Sequence, residues 1–429
     1  MKSALSLLKL AGFRNLWVGQ LVSQFGDVLH LLVFLWMVLE ITGSNVAVGT
    51  VGAFEALPYA LLSAHAGVAA DRYDRRRILI LSDVFSAGLV FTFAGLIYFQ
   101  PKPDLWIICT FAFLLGSVNV FAAPARSASI PRLVPPESLI DANVLNSSTQ
   151  NAIPLIGNVL AAVTLKTIFS YSKLLAYVLT FAFNGVTFLV SAFFMWRLPE
   201  IKAEQDRSQK PSFWRETREG LSYIRHHPVL LPAMLAGFGL NFFIAPFMPV
   251  YVVIAQKKFN GTPFLLAMME TGFFIGMLIG SLLMFRFRVR RAGLAFSIYL
   301  ALAAVTIVPM GYVNSPVLFW VLNVICGVFI PPASVPLATL IQAETPDNLR
   351  GRVNAVQSMV STLIVPVGFA LSGPLMERVG IPGTFWFMGL GLGICPLLAL
   401  LSRPFAQSVL PEAAAAATSS EHTPHLTEH

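Results

Sequence analysis

The chain has 429 residues, of which 56% are hydrophobic and only 12% charged, with a mean hydropathy of +0.72. That much apolar surface exceeds what one water-soluble core can bury, which excludes an ordinary globular domain and points to a bilayer. The formal net charge of +8 sits in turns between apolar runs, so it speaks for membrane topology and adds nothing to a nucleic-acid reading.

Crossing the hydrocarbon takes about 20 apolar residues, and twelve such runs occur: 15–42, 46–70, 78–100, 104–126, 140–168, 174–197, 229–256, 263–286, 292–313, 316–342, 352–376 and 381–402. None has the strict alternation of a barrel strand, and helices satisfy their own backbone groups in lipid. The expected fold class is therefore an all-α membrane protein with twelve transmembrane helices. Lys2, Lys9, Arg14, the 72–77 cluster, Arg132, the 197–225 stretch, Arg286, Arg288, Arg290, Arg291, Arg350, Arg352 and Arg403 would share one side. Only Lys102, Lys166, Lys173, Lys257, Lys258 and Arg378 fall on the other, so positive-inside places both termini in the cytoplasm. No cleavable signal peptide is evident in "MKSALSLLKLAGFRNLW".

Span one carries Gln20, Ser23, Gln24, Asp27 and His30 within an arc of about 120°, a polar stripe that would face the bundle interior. Asp27 lies about eleven residues, or about 16 Å, from the near end of the span, close to the midplane. An ionised carboxylate there is costly, so Asp27 is either a proton carrier or held permanently by neighbouring polar groups. Glu55 in span two and Glu270 in span eight are two further embedded acids; Glu55 suits a cavity wall or a helix bend, and Glu270 could reach the outer interface.

Between spans two and three, "GVAADRYDRRRILILSD" packs six charges into the seven residues from Asp71 to Arg77. In span four, Arg126 lies within "PARSAS" and reads as a topology anchor or as a holder of substrate or of an acidic gate residue. Span five aligns Asn143, Asn146, Ser147, Gln150, Pro154 and Gly157 on one face, which favours close packing or a wetted path. Cys109, Cys326 and Cys395 all fall inside apolar runs and read as small core residues, neither disulfides nor metal ligands.

The polar stretch 199–228 is the longest interruption and divides an amino-terminal six-helix bundle, 1–198, from a carboxy-terminal one, 229–402. His226 and His227 in this cytoplasmic linker read as solvated, and 403–429, ending in "PEAAAAATSSEHTPHLTEH", reads as a disordered cytoplasmic tail. The halves repeat: "PRLVPPESLIDANVLNSSTQNAIPLIG" resembles "IQAETPDNLRGRVNAVQSMVSTLIVPVG", with Asn143 and Asn354, and Gly157 and Gly368, each 211 apart. Spans four and ten both carry prolines, Pro124 in one and Pro331, Pro332 and Pro336 in the other. Such symmetry is typical of transporters whose substrate binds between the halves near the midplane.

The form G-x-x-x-D-R-x-x-R-R/K, matched by Gly67, Asp71, Arg72, Arg75 and Arg76, resembles the loop signature of the major facilitator superfamily. "FGD" at 25–27, "PARSASIPRLVPPESLIDAN" at 124–143 and "PDNLRGRVNAV" at 346–356 resemble its drug and siderophore exporter branch, which includes macrolide efflux proteins and the enterobactin exporter. The resemblance implies a bacterial inner-membrane transporter in which Asp71 caps the start of span eleven, near Arg350, Arg352 and Asn354, as a cytoplasmic gate. It also assigns spans one, four, seven and ten to the central cavity, so Gln20, Gln24, His30, Arg126 and Asn241 become lining candidates, and Asp27, Glu55 and Glu270 proton-coupling candidates. The chain departs from the branch at Asn158, where proline is usual, and at 111–117, which lacks the usual arginine of span four.

The expected function is export of a hydrophobic or amphipathic small molecule, of drug, macrolide or siderophore type, by proton antiport with alternating access. Lipid or metal-chelate transport on the same fold, and a transport-inactive sensor or assembly subunit, are the alternatives. No Walker loop, H-E-x-x-H or nucleophile elbow occurs, so no enzyme, cofactor or metal is expected, and the partners are the substrate, protons and the bilayer around a monomer.

Overall fold

The computed structural model describes residues 7–201, 213–284, 286, 289–347 and 349–409. Its helices are α1 Ala11–Thr42, α2 Asn45–Arg72, α3 Arg75–Phe99, α4 Leu105–Leu133, α5 Leu139–Tyr171 and α6 Lys173–Trp196, then the connecting helix α7 Phe213–His226. The second half continues with α8 Leu230–Lys258, α9 Pro263–Met284, α10 Ala292–Met310, α11 Pro316–Ala343, α12 Arg350–Ala399 and the short α13 Arg403–Ala406. Ten of these are long and apolar enough to cross a bilayer. α5, at 33 residues, supplies a further span, and α12, at 50 residues, is two spans joined at Gly380, whose φ of 70° interrupts the helix. Together these account for the twelve expected spans.

Local chemistry explains the boundaries. Gly43, at φ 65°, ends α1 in the left-handed conformation that glycine adopts without strain, and the Ser44 hydroxyl accepts from the Ala47 amide to start α2. Ser172 caps α6 and Ser315 caps α11, the latter with Pro316 at the first helical position, where its missing N–H costs nothing. The repeat seen in the sequence is structural, since Asn143 and Asn354 are each the fifth residue of their helices, α5 and α12. Large apolar side chains remain exposed along the outer helix faces, as at Leu81, Phe85, Leu179, Phe183 and Val186, the pattern of a lipid-facing surface.

The chain divides into two compact units. The first comprises Met1–Lys210 with Pro246–Thr271 and Val365–Arg378; the second comprises Pro211–Ala245, Gly272–Ile364 and Val379–His429. In the first, α1 and α3 pack extensively on α6, and α2 packs on α4. The Lys257 ammonium donates to the Gly43 carbonyl and to Asn45 Oδ1, each at 2.7 Å, tying the end of α8 to the α1–α2 turn. In the second, α10 and α11 form the principal pair.

The linker and tail hold structure that composition did not announce. His227 Nδ1 accepts from the amides of Val229 and Leu230 at 3.3 and 3.2 Å, so it starts α8 rather than being merely solvated. Residues 403–409, expected to open a disordered tail, contain α13, and the Ala292 amide donates to the Ser408 carbonyl at 3.2 Å. Phe405 is fully buried there because the helix start at Gly293 leaves room for it. Residues 410–429 lie outside the described residues.

Candidate functional site

The polar stripe of α1 faces helix α6, as its placement on one arc requires. Gly26 makes this possible, because a Cβ there would sit on the Thr187 and Asn184 side chains. Asp27 lies half-buried beside Asn184 and within electrostatic reach of Arg126 on α4, Asp83 on α3 and Glu55 on α2. Arg126 in turn faces Asp83, Asp27 and Tyr59. Asp83 is buried beside the Ser191 hydroxyl of α6. Glu55 reaches this cluster because α2 and α4 approach closely: a Cβ on Gly116 would meet the Glu55 carbonyl.

Four helices thus bring two aspartates, a glutamate, an arginine and a tyrosine into one region of the first unit, with Asn184 and Ser191 of α6 alongside. The surrounding atoms are unusual. Gln20 Nε2, Gln24 Oε1, Glu55 Oε2, Arg126 Nε, Asn184 Nδ2 and Ser191 Oγ are all buried with no hydrogen-bond partner within the protein. Folded proteins satisfy nearly all such atoms, so the cluster is the candidate site of this unit.

The other expected residues fall in different surroundings. His30 is not part of the polar cluster; its ring stacks on Phe34 at 5.1 Å and meets Phe181 at 5.2 Å and Phe111 at 5.9 Å, with no hydrogen bond to either nitrogen. Glu270 does not reach the outer interface. It is buried, and its Oε2 accepts from Asn158 Nδ2 at 3.0 Å. That bond gives a physical reason for the departure at Asn158, since a proline there could offer no amide to a buried carboxyl. Asn241 belongs to the second unit, where its side chain donates to the Gly237 carbonyl one turn back, at 2.9 Å.

The charged turn resolves into separate roles. Asp74, which the loop signature does not include, caps α3 by accepting from the Arg76 amide at 3.0 Å and also accepts from the Ile201 amide at 3.2 Å. Arg75 donates to the Ala70 and Ala128 carbonyls at 3.1 and 2.7 Å, and Arg76 donates to the Trp196 carbonyl. The arginines therefore do more than set topology: they bind the carbonyl ends of α2, α4 and α6, where the helix dipoles are negative. Gly67 has open space where a Cβ would be within its own unit, and Asp71 and Arg72 are exposed at the end of α2. In the second unit, Arg350 pairs with Asp347 at 2.7 Å and Arg352 with Glu219 of α7 at 2.8 Å.

Two further acids of the 67–83 stretch, Asp74 and Asp83, also carry a signal in the sequence. Asp74 was recognisable as an N-cap, an aspartate immediately before a helical run. Asp83 was recognisable from its place on the buried face with Leu79, Ser82, Ser86 and Val90, at helical spacing.

Comparison with known proteins bears on the family and the fold. The family model described as Major Facilitator Superfamily matches residues 16–369 and 247–424. Macrolide efflux protein A of Streptococcus pyogenes is 27% identical over 397 residues, covering 90% of this chain and 95% of its own. Multidrug efflux pump Tap of Mycolicibacterium fortuitum is 24% identical over 392 residues, covering 89% and 93%. Among solved structures, a bacterial homologue of the iron transporter ferroportin in its inward-facing state superposes with a TM-score of 0.69 at 16% identity, covering 91% of this chain and 98% of that one. With twelve membrane-crossing segments in two repeated halves, the chain belongs to the major facilitator superfamily and is a multi-pass membrane transporter, not an enzyme.

Proposed function

We propose that this transporter exports a hydrophobic or amphipathic small molecule of macrolide or multidrug type from the cytoplasm, driven by proton entry through alternating access. The observation that carries the reading is the half-buried Asp27 among partnerless polar atoms, in a unit whose relatives over nearly their full length are efflux proteins. A carboxyl held in a low-dielectric bundle beside a single arginine changes its proton occupancy when its surroundings change, which is what coupling requires. Glu55, within electrostatic reach of Asp27, and Glu270, hydrogen-bonded to Asn158, are secondary carriers. The charge pattern of the loops supports both termini in the cytoplasm of a bacterial inner membrane.

The test is transport of a radiolabelled macrolide in proteoliposomes under an imposed pH gradient. Wild-type protein should move it against its concentration gradient. Asp27→Asn should bring gradient-driven transport to background while retaining substrate binding, because the amide keeps the shape of the carboxyl without its exchangeable proton. Wild-type gradient-driven transport in that variant would overturn Asp27 as the coupling residue.

A further inference from the structure

Asp83 has no part in the reading above, yet it is harder to explain than Asp27. It is 5% exposed, eight residues past the start of α3. The buried face of α3 changes character along its length: Ser82, Asp83 and Ser86 occupy the first half, and Val90, Phe93, Ala94 and Ile97 the second. On α6, Thr180, Asn184, Thr187 and Ser191 lie along one stripe, all buried, with Asn184 and Thr187 against Gly26 of α1 and Ser191 beside Asp83 of α3. A hydrophilic seam thus runs along α6 where α1 and α3 both pack extensively on it.

Position along that seam relates the two aspartates. Asn184 of α6 neighbours Asp27, and Ser191 neighbours Asp83. Those two α6 residues are seven apart, about 10 Å along the helix axis. Arg126 is within electrostatic reach of both acids, its Nε without a hydrogen bond. The groups facing Asp83 are Ser191 from α6, Arg126 from α4 and Asp27 from α1, with Ser82 and Ser86 beside it on α3. From α2, Tyr59 faces Arg126 and Glu55 faces Asp27.

Charge counting in this region leads to one conclusion. One guanidinium can neutralise one carboxylate, and a second ionised carboxylate in the same buried region would stand uncompensated, at a cost of several kcal/mol. We propose that Asp83 is a second proton-carrying residue of the transport cycle, and that Asp27 and Asp83 hold one proton between them because they share the Arg126 guanidinium as counter-ion. In one state Asp83 is the carboxylate paired with Arg126 and Asp27 carries the proton. In the other, the proton leaves the Asp27 carboxyl oxygen, Arg126 turns to the carboxylate so formed, and Asp83 binds a proton in exchange through water. Protons and charge balance, and no other reactant is needed. The Asn184–Thr187–Ser191 stripe marks the direction of transfer, toward the end of the bundle that bears the 71–77 turn.

This inference rests on the proton-antiport reading, and one experiment separates the two. Proteoliposomes are loaded with a radiolabelled macrolide and assayed for uphill transport under a pH gradient and for equilibrium exchange without one, exchange requiring no net proton movement. If wild-type transport ignores the gradient, the antiport reading fails and this one with it. If wild type responds, Asp83→Asn should lose gradient-driven transport at least about 10-fold while exchange stays within about 2-fold. Undiminished gradient-driven transport overturns the proposal alone, and so does an equal loss in both assays, which marks Asp83 as purely structural. Should Asp83→Asn fail to fold, Asp83→Glu decides. It keeps the carboxyl, so it should retain gradient-driven transport with the pH midpoint moved, and an unmoved midpoint overturns the proposal.

Discussion

The two compact units treat burial in opposite ways. The first buries Asp83, Glu270 and His30, and gathers Asp27, Glu55 and Arg126 nearby. In the second, the buried polar side chains among the described residues are Thr217, Ser297, Asn323, Thr345, Thr384 and Ser408, none of them ionisable. The buried atoms without a hydrogen-bond partner also fall in the first unit. The two copies share out this chemistry unevenly: Asp27, Glu55, Asp83 and Arg126 come from the amino-terminal half, whereas Glu270 is supplied by the carboxy-terminal half and joins the first unit through 246–271. Neutral hydroxyls and amides in the second unit can satisfy themselves on their own helix, as Ser297 does on the Gly293 carbonyl at 3.0 Å, so they hold shape without a cost that varies with pH.

The turns after the second helix of each half repeat the contrast. In the first, Asp74, Arg75 and Arg76 hold helix ends by side-chain hydrogen bonds. In the second, Met284 stands where the aspartate of the motif would be, and the chain instead pairs Arg291 with Val409 through the backbone. One turn is fastened by charge, the other by a segment from beyond the last span.

The sharpest test is to place a buried acid in the unit that has none among its described residues. Asn323, fully buried in α11, is isosteric with aspartate. Asn323→Asp should destabilise the protein by several kcal/mol, because the carboxylate has no buried cation to meet it. The effect should appear as a fall in melting temperature that is steeper at alkaline than at acidic pH; a melt insensitive to pH would show that this unit accommodates charge after all. Next in size, Phe405→Ala removes a fully buried ring from the segment that fastens the second turn. A loss of about 3 kcal/mol is expected in thermal melts of purified protein, and a shift under about 1 kcal/mol would mean that α13 contributes little. Smallest is the cap of the first turn. Asp74→Ala should cost about 1 kcal/mol in the same melts, and an unchanged melt would mean that this cap does not hold the turn.

Some of the site was open to reading and some was not, for identifiable reasons. Asp27 stood out because a carboxylate within a long apolar run has no bland environment in lipid. His30 shares its arc, but one further turn along α1 the neighbours change from polar groups to Phe34, Phe111 and Phe181, which come from its own helix and from two distant ones. Asn158 looked like a decayed motif until Glu270, 112 residues away, supplied its partner.

What the sequence determined by itself was the count of spans, their ends, the repeat and the family. Each depends on local quantities: the length of an apolar run against the thickness of hydrocarbon, a serine or aspartate before a helix, a motif read in register. What only the tertiary structure decided was which buried polar group meets which. Asp83 and Asp27 are 56 positions apart and on different helices, and nothing in their spacing reveals that both face Arg126. That partnership follows from the rotation and close approach of α1, α3, α4 and α6. Side-chain volumes such as the missing Cβ of Gly26 set that approach, and an apolar pattern alone does not encode it.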